Sequence, residues 1–306
     1  MSKQQNILIT GANSGFGLLT TKLLLQQGHH VVASMRDPNH RNAQTAHEIK
    51  QLGGMVVDID VTNEESVTTG ITEAIKLAGH LDVLVNNAGV GVLGLQEAFT
   101  TDDIKSVFEI NVFGLNRMIR AILPHFHQRH SGLILNVSSI LGRMTIPFYG
   151  PYNASKWAVE ALSENYRTEL SKFGIDVTIV EPGGFPTEFI DRLVKPSDTV
   201  RLQHYGDMAA APQAALEGFE QALAANPAQN PQLVADAIAD VIAKTPGSRP
   251  FRTVVDKMGM GEPIAAYNEQ LATITKNIYQ AFGTAEMLEL NVKENEKNKL
   301  SIKIDI

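Results

Sequence analysis

Three residues near the middle of the chain have the types and spacing to move a proton. In NVSSILGRMTIPFYGPYNASK, from Asn136 to Lys156, Tyr152 and Lys156 are four apart, so a helix carries both side chains on one face, one turn separated. A free phenol ionises near pH ~10 and carries protons poorly at neutral pH, whereas a fixed cation beside it favours the phenolate. Lowering that value by roughly two units takes about 2.7 kcal/mol, within reach of one close ammonium together with a cofactor's positive charge. The hydroxyl of Ser139 is placed to share a substrate oxygen with Tyr152, so that the phenol proton arrives as a hydride reaches the carbon. A tyrosine and a lysine at this spacing also occur on amphipathic helices that do no chemistry, so the surrounding elements must support the reading.

The first of those elements is a short buried strand, Asn6 to Thr10, followed at once by TGANSGFG and the apolar-periodic helix LLTTKLLLQQG. A strand that turns through Gly11, Gly15 and Gly17 into a helix leaves backbone N–H groups at a positive helix end, where a pyrophosphate can sit. Side chains at the glycines would hold the phosphates away. The spacing is G-x-x-x-G-x-G, not the G-x-G-x-x-G dinucleotide fingerprint. A second strand, HHVVASM, ends in Met35, Arg36 and Asp37. An acid near the end of this strand holds a ribose 2'-hydroxyl, whereas an arginine suits a 2'-phosphate. Strand register puts Met35 at the acid's usual place with Arg36 next to it, which favours NADP(H) over NAD(H). Asp37, twenty residues beyond Gly17, competes for the ribose.

The alternation continues. GGMVVDIDV reads as a strand ending at Asp60 and Val61, NEESVTTGITEAIKLAG as a helix with acids in its first turn, and LDVLVNNAG as a buried strand closing on Asn86, Asn87, Ala88 and Gly89. Small residues there let the backbone lie close to a flat ligand, and the asparagines can tie strand ends together. TTDDIKSVFEINVFGLNRMIRAILPHFHQRH reads as one long helix capped at Thr101, with Asn111 inside its apolar stripe. Asn111 either hydrogen-bonds or bends the helix, or holds a water against Lys156. His125, His127 and His130 are spaced by two and five, do not share one face as a metal pair needs, and read as solvated; no metal is expected.

GLILNVSS then delivers Ser138 and Ser139 at a strand's C-terminal end, PYNASKWAVEALSENYRTELSKFG is a helix, and IDVTIVEPGG is a strand. Strand and helix alternating through Pro182 imply an α/β fold, a doubly wound parallel sheet of the Rossmann type in a single domain, with ligands at the strands' C-terminal ends. Residues 1–255 are expected to form the catalytic domain, and 256–306 a C-terminal helical extension and tail of the same domain. Within the first part, 188–231 is long, rich in alanine and glutamine, and broken by Pro196, Pro212 and Pro227, as a substrate lid would be. Further on, QLVADAIADVIAK is an amphipathic helix, RPFRTVVD the last strand, and EPIAAYNEQLATITKNIYQAFG a helix that packs on the rim or on a neighbouring subunit. NVKENEKNKLSIKIDI is either a frayed tail or an added edge strand.

Composition narrows the function. A chain of 306 residues, 43% hydrophobic and 19% charged, can bury a full core. A net charge of −7 gives no electrostatic footprint for nucleic acid or an anionic membrane. The absence of cysteine excludes disulfides, thiolate ligands and a cysteine nucleophile, and suits a reducing compartment. No signal-peptide apolar region or membrane-spanning stretch is visible, so a cytoplasmic protein is expected.

Six ordered motifs together resemble those of the short-chain dehydrogenase/reductase family, across residues 5 to about 255. Its T-G-x-x-x-G-x-G is TGANSGFG, its N-N-A-G is Asn86 to Gly89, and its Y-x-x-x-K is Tyr152 and Lys156. The helix asparagine falls at Asn111, the serine thirteen before the tyrosine is Ser139, and P-G-x-x-x-T is PGGFPT from Pro182 to Thr187. VVASMRDP and the LLQQG helix are similar to the retinol and 17-beta-hydroxysteroid dehydrogenase-like members. The resemblance implies that Tyr152 is the catalytic acid or base, that Lys156 lowers its pKa and holds the nicotinamide ribose, that Ser139 orients the substrate oxygen, and that Asn111 supports a proton-relay water. It assigns Gly11, Asn13, Ser14, Gly15, Phe16 and Gly17 to the pyrophosphate and adenosine ribose, and Asp60 and Val61 to the adenine. Asn87, Ala88 and Gly89 fall to the adenosine side, and Pro182, Gly183, Phe185 and Thr187 to the nicotinamide. Relatives with an arginine at the place of Arg36 commonly use NADP(H).

One departure is Phe185-Pro186, where many relatives have an aliphatic residue and no proline; Pro186 has no N–H to give. The family also implies a homo-oligomer, a dimer or tetramer, through helices around Phe108 and Trp157, although Trp157 suits helix packing equally. Val90, Leu93, Leu141, Met144, Phe148, Tyr149, Phe185 and Phe189 are candidate pocket residues, all apolar or aromatic, so the expected substrate is a lipophilic carbonyl or secondary alcohol. The competing reading is a redox sensor or scaffold that binds a dinucleotide without turnover. The intact set Asn111, Ser139, Tyr152 and Lys156 argues against it, since a pure binder needs no such set.

Overall fold

Ile7 and Ile9 of β1 (Asn6–Ile9) face one layer and Leu8 the other, and all three are fully buried, as a strand covered by helices on both faces requires. A computed structural model describes residues 4–292 of the chain. Among them, β1, β2 (His30–Met35), β3 (Met55–Asp58), β4 (Val83–Asn86), β5 (Gly132–Val137), β6 (Ile175–Pro182) and β7 (Arg252–Val255) form one parallel sheet in the order β3-β2-β1-β4-β5-β6-β7. The order reverses between β1 and β4, which opens a crevice at their C-terminal ends.

The helices are α1 (Gly15–Gln26), α2 (Ala43–Gln51), α3 (Glu64–Ala78), α4 (Thr101–Phe108), α5 (Leu115–Arg129), α6 (Gly150–Leu170), α7 (Ala211–Ala224), α8 (Gln232–Ala243) and α9 (Gly261–Ala281). Leu24 of α1, Ile49 of α2 and Val234, Ile238 and Ile242 of α8 pack on the face that carries Ile7 and Ile9. Ile71 of α3, Met118, Ile122 and Phe126 of α5 and Val159 of α6 pack on the face that carries Leu8. The expected doubly wound α/β sheet is therefore present, with C-terminal helices added to it. Helix α9 buries only Ile264 and Asn268, so most of its length lies on the surface. Residues 293–306, which hold most of the stretch read as a tail or edge strand, lie outside the described residues.

Three local expectations need correction. The stretch expected as one helix from Thr101 is divided into α4, a wide π-type turn over Glu109–Gly114, and α5. Its cap is Thr100, whose hydroxyl accepts from Asp103 N–H while Asp103 accepts from Thr100 N–H, a closed capping box one residue earlier than expected. Helix α2 was not anticipated, because RNAQTAHEIKQ has a mostly polar surface and only Ala46 and Ile49 reach the core. The histidines are not all solvated. His125 is half-buried with Nε2 against the backbone of Leu81, and burial pulls its pKa down; the His127 ring stands edge-on to Phe173 at 4.9 Å. Among the described residues no group of acids and histidines is arranged to hold a metal.

Candidate active site and dinucleotide cleft

The turn between β1 and α1 explains its own glycines. Gly11 and Gly15 have φ of +64° and +50°, in the left-handed region that favours glycine. At Gly17 a Cβ would fall 2.3 Å from the Gly11 carbonyl oxygen and 2.5 Å from Asn87 Nδ2, so its role is close packing, and it does not line the cleft. Asn87 fastens the two strand ends across the crevice: Nδ2 donates to the carbonyls of Thr10 (2.9 Å) and Gly11 (3.2 Å), and its N–H donates to Thr10 Oγ1 (2.9 Å). Asn86 Nδ2 donates to Asn136 Oδ1 at 2.9 Å, continuing the tie to β5.

A cavity of about 660 Å³ runs along these strand ends. Its walls include Gly11, Asn13, Ser14, Gly15, Phe16, Arg36, Asp60, Val61, Asn87, Ala88, Gly89, Ser139, Tyr152, Lys156, Pro182, Gly183, Phe185 and Thr187. Of the catalytic and cofactor-binding residues expected from sequence, only Gly17 and Asn111 are not on the wall.

Tyr152 and Lys156 lie in the first two turns of α6, and Ser139 follows the end of β5. Burial pushes the Tyr152 phenol up to about 12, partly opposed by a hydrogen bond with Ser139. Burial pulls the Lys156 ammonium down to about 8, against the attraction of Glu160 one turn along. Lys156 Nζ donates to the Val137 carbonyl at 2.9 Å and stands 5.6 Å from the Tyr152 ring centre. The protein's own groups thus hold the phenol in its acid form.

Asn111 sits in the wide turn, 2% exposed. Its Oδ1 accepts from Val90 N–H (2.8 Å), and its Nδ2 donates to the Val90 carbonyl (2.9 Å) and to Ser155 Oγ (3.0 Å). Ser155 Oγ donates in turn to the Tyr152 carbonyl at 2.8 Å. Asn111 therefore fixes the loop after β4 against the first turn of α6.

At the far end, Arg36 and Arg41 line the cavity, whereas Asp37 does not. Asp37 has φ +49°; its N–H donates to Asp58 Oδ1 and its carboxylate accepts from Arg41 N–H at 3.2 Å. The carboxylate that competes for the ribose is used to shape the turn that carries Arg41.

The profile of the family described as short chain dehydrogenase matches residues 5–197. The chain belongs to this family. It is 37% identical over 251 residues to a 3-ketodihydrosphingosine reductase from Bacteroides thetaiotaomicron, covering 82% of this chain and 87% of that protein. It is 34% identical over 257 residues to human retinol dehydrogenase 8, covering 79% and 78% of the two chains. Among solved structures, a short chain dehydrogenase/reductase from Burkholderia phymatum in complex with NAD superposes with a TM-score of 0.71 at 25% identity, covering 89% of this chain and 96% of that one.

As a short-chain dehydrogenase the protein is an oxidoreductase that works with a nicotinamide dinucleotide, and the cleft fits such a group. The left-handed Gly15 meets only the Thr187 Cβ, at 3.8 Å, so the turn is open in front of it. The Ser138 hydroxyl, 3% exposed and on the cavity wall, has no protein partner. The loop after β6 is well fixed despite Pro186. Gly183 N–H donates to the Val255 carbonyl (2.8 Å), Phe185 stacks edge-on against Phe16 at 5.5 Å, and Pro186 is exposed, so its missing donor costs nothing.

The far wall of the cavity comes from 188–231. Phe189 lies 5.8 Å from the Tyr152 ring, and Leu216 and Phe219 of α7 face inward. Val90, Leu141, Phe148, Tyr149, Phe185 and Phe189 line the cavity as expected; Leu93 and Met144 pack behind it. Arg41, Arg192, Phe219 and Met260 were missed, since each comes from a segment with no motif of its own.

Also missed is a buried ionic cluster beneath the site. Glu160 (α6), Glu181 (β6, just before Pro182), Arg143 (just beyond Ser139) and Arg252 (β7) are all nearly or fully inaccessible. Arg252 Nε lies 2.9 Å from Glu160 and 3.2 Å from Glu181; Arg143 lies 3.8 Å from Glu160 and 4.0 Å from Glu181. Asn268 of α9 donates to Glu181 at 2.6 Å and accepts from Arg143 at 2.9 Å. Burial, and then Glu160, hold the Glu181 carboxyl well above the usual carboxylate range. The cluster joins the segments that carry Ser139, Lys156 and Pro182 to α9.

Proposed function

We infer that this short-chain dehydrogenase transfers a hydride between NADP(H) and the carbonyl or secondary alcohol of a lipophilic small molecule. The observation that carries the reading is convergence: Ser139, Tyr152 and Lys156 meet on one cavity that is apolar beyond them and edged by two guanidinium groups at its adenosine end. Bound there, the dinucleotide supplies or accepts the hydride. Gly11, Asn13, Ser14, Gly15 and Phe16 are the residues to hold its pyrophosphate and adenosine ribose, Asp60 and Val61 its adenine, and Pro182, Gly183, Phe185 and Thr187 its nicotinamide. The Tyr152 hydroxyl holds the proton that a developing alkoxide needs, and its raised pKa keeps that proton in place through the neutral range. Ser139 Oγ orients the same substrate oxygen, and Lys156 Nζ places positive charge beside the phenol. Asn111 is a positioning residue that acts through Ser155.

Arg36 and Arg41 favour a 2'-phosphate, because neither side chain is paired with a carboxylate among the described residues while Asp37 is turned to backbone. Replacing both by alanine should weaken NADPH binding about 10- to 100-fold, one to two charge-assisted contacts, and leave NADH within a few fold. Fluorescence titration of both cofactors measures this; a wild-type preference for NADH refutes the assignment. NADPH oxidation across a panel of aldehydes, ketones and steroids tests the substrate class, with activity confined to small charged carbonyls as the contrary result. The names of two relatives, a ketodihydrosphingosine reductase and a retinol dehydrogenase, agree with a carbonyl/alcohol couple.

The segment 188–231 serves as the lid. A homo-oligomer, at least a dimer, is part of the same reading: Phe113 and Trp157 are 47% and 41% exposed on the helical side. Sedimentation should show at least a dimer at micromolar concentration, and a monomer there would contradict it.

A further inference from the structure

The rim of the cavity carries a third guanidinium, from the segment that covers the substrate end. Arg192 ends a short 3-10 turn, Ile190–Arg192, five residues beyond Thr187, and its Nη1 donates to Ser14 Oγ at 3.3 Å. Ser14 precedes α1 in the glycine turn, and its hydroxyl does not cap that helix. Among the described residues no carboxylate lies within ion-pair distance of Arg192, so its charge is uncompensated in a protein of net charge −7. Next to Arg192 the segment is fastened to the loop after β4. Val194 N–H donates to the Gly91 carbonyl (2.9 Å), Leu93 N–H donates to the Val194 carbonyl (3.0 Å), and Phe189 and Leu193 close over Gly91. Across the cavity, its polar link to the glycine turn is Arg192.

We propose that Arg192 is a ligand of the dinucleotide's pyrophosphate, carried on the lid, so that the bound cofactor itself draws the segment around Phe189 down over Tyr152 and completes the substrate pocket. The inference rests on the dinucleotide reading of the cleft and goes beyond it. The charges match: a pyrophosphate at the positive end of α1 offers oxygens on its solvent side, and a planar guanidinium arriving from the lid can take two of them at once.

The test uses the full-length wild type with Arg192→Gln and Arg192→Lys, titrated with NADPH, NADH and adenosine. Arg192→Gln should raise the Kd of NADPH and of NADH alike by about 10-fold or more, the size of a lost charge-assisted phosphate contact. Adenosine, which has no phosphate, should bind as to wild type, and Arg192→Lys should recover part of the loss. Chymotrypsin supplies a second readout. NADPH should protect the wild-type segment around Phe189 and Tyr205 from cleavage and should protect Arg192→Gln far less. Unchanged Kd values with equal protection would overturn the proposal and leave Arg192 a latch on Ser14 alone. A loss confined to NADPH would also overturn it, moving the guanidinium to the 2'-phosphate. Wild type that binds neither dinucleotide would sink the parent reading as well, and is distinguished by that measurement before any variant is made.

Discussion

Tyr152→Phe should bind NADPH within a few fold of wild type and lose about 10²- to 10⁴-fold in turnover, the range that a positioned proton donor contributes. The substitution deletes one oxygen. The ring keeps its place beside Phe189 and against the small cluster of Val92, Phe99 and Val107, and the phenol's protein partner is Ser139. Thermal stability should therefore hardly move, and a kinetic loss without a fall in Tm isolates the proton. The pH profile gives a second readout. With the phenol up at about 12 and the ammonium down at about 8, wild-type carbonyl reduction should decline as pH rises through about 8, where Lys156 gives up the charge that supports Tyr152. The residual rate of the variant should lack that limb. Turnover within ten-fold of wild type would remove Tyr152 from the chemistry.

The parts of this site that were legible in the sequence are those whose residue types are dictated locally. A left-handed backbone at Gly11 and Gly15, a Cβ-free approach at Gly17, and a tyrosine and lysine one helical turn apart leave a mark in the order of residues itself. The buried strands were legible for the same reason: double-sided burial leaves the unbroken apolar runs VLV in β4 and LIL in β5. What escaped depends on tertiary placement. RNAQTAHEIKQ shows little periodicity because α2 needs only two buried residues to dock. Asp37 and Arg36 are adjacent in sequence, and which of them faces the cleft is decided by a turn held to Asp58 and Arg41. The division of α4 from α5 follows from where Val90 and Ser155 lie relative to Asn111, information no helical pattern contains. The upward push on the Tyr152 phenol is hidden for a related reason: spacing shows the cation, but the cost of burying a phenolate depends on everything packed around it.

The buried cluster gives the sharpest contrast between two chemically identical substitutions. Glu160→Gln removes the buried carboxylate that faces both Arg252 and Arg143, leaving Arg143 beside only the largely neutral Glu181 and Arg252 paired with the part-exposed Glu164, so it should cost about 3–5 kcal/mol of stability, as breaking a buried pair does. Glu181→Gln should cost much less at neutral pH. The Glu181 carboxyl is held above its ordinary value by burial, so in the folded protein it is largely the neutral acid that glutamine imitates, and Asn268 still finds an oxygen to bond. Linkage fixes the sign. A carboxyl whose folded pKa is raised contributes stability that is complete below its unfolded value of about 4.5 and is lost as pH rises toward the folded one. Wild-type stability relative to Glu181→Gln should therefore fall steadily from pH 5 to pH 9. Urea unfolding of both variants at several pH values measures it. A wild-type advantage that grows with pH would mean that Glu181 is the ionised partner of Arg252 in the folded state. The neutral-acid assignment would then be wrong, and the link from α9 to the Pro182 loop would be an ion pair.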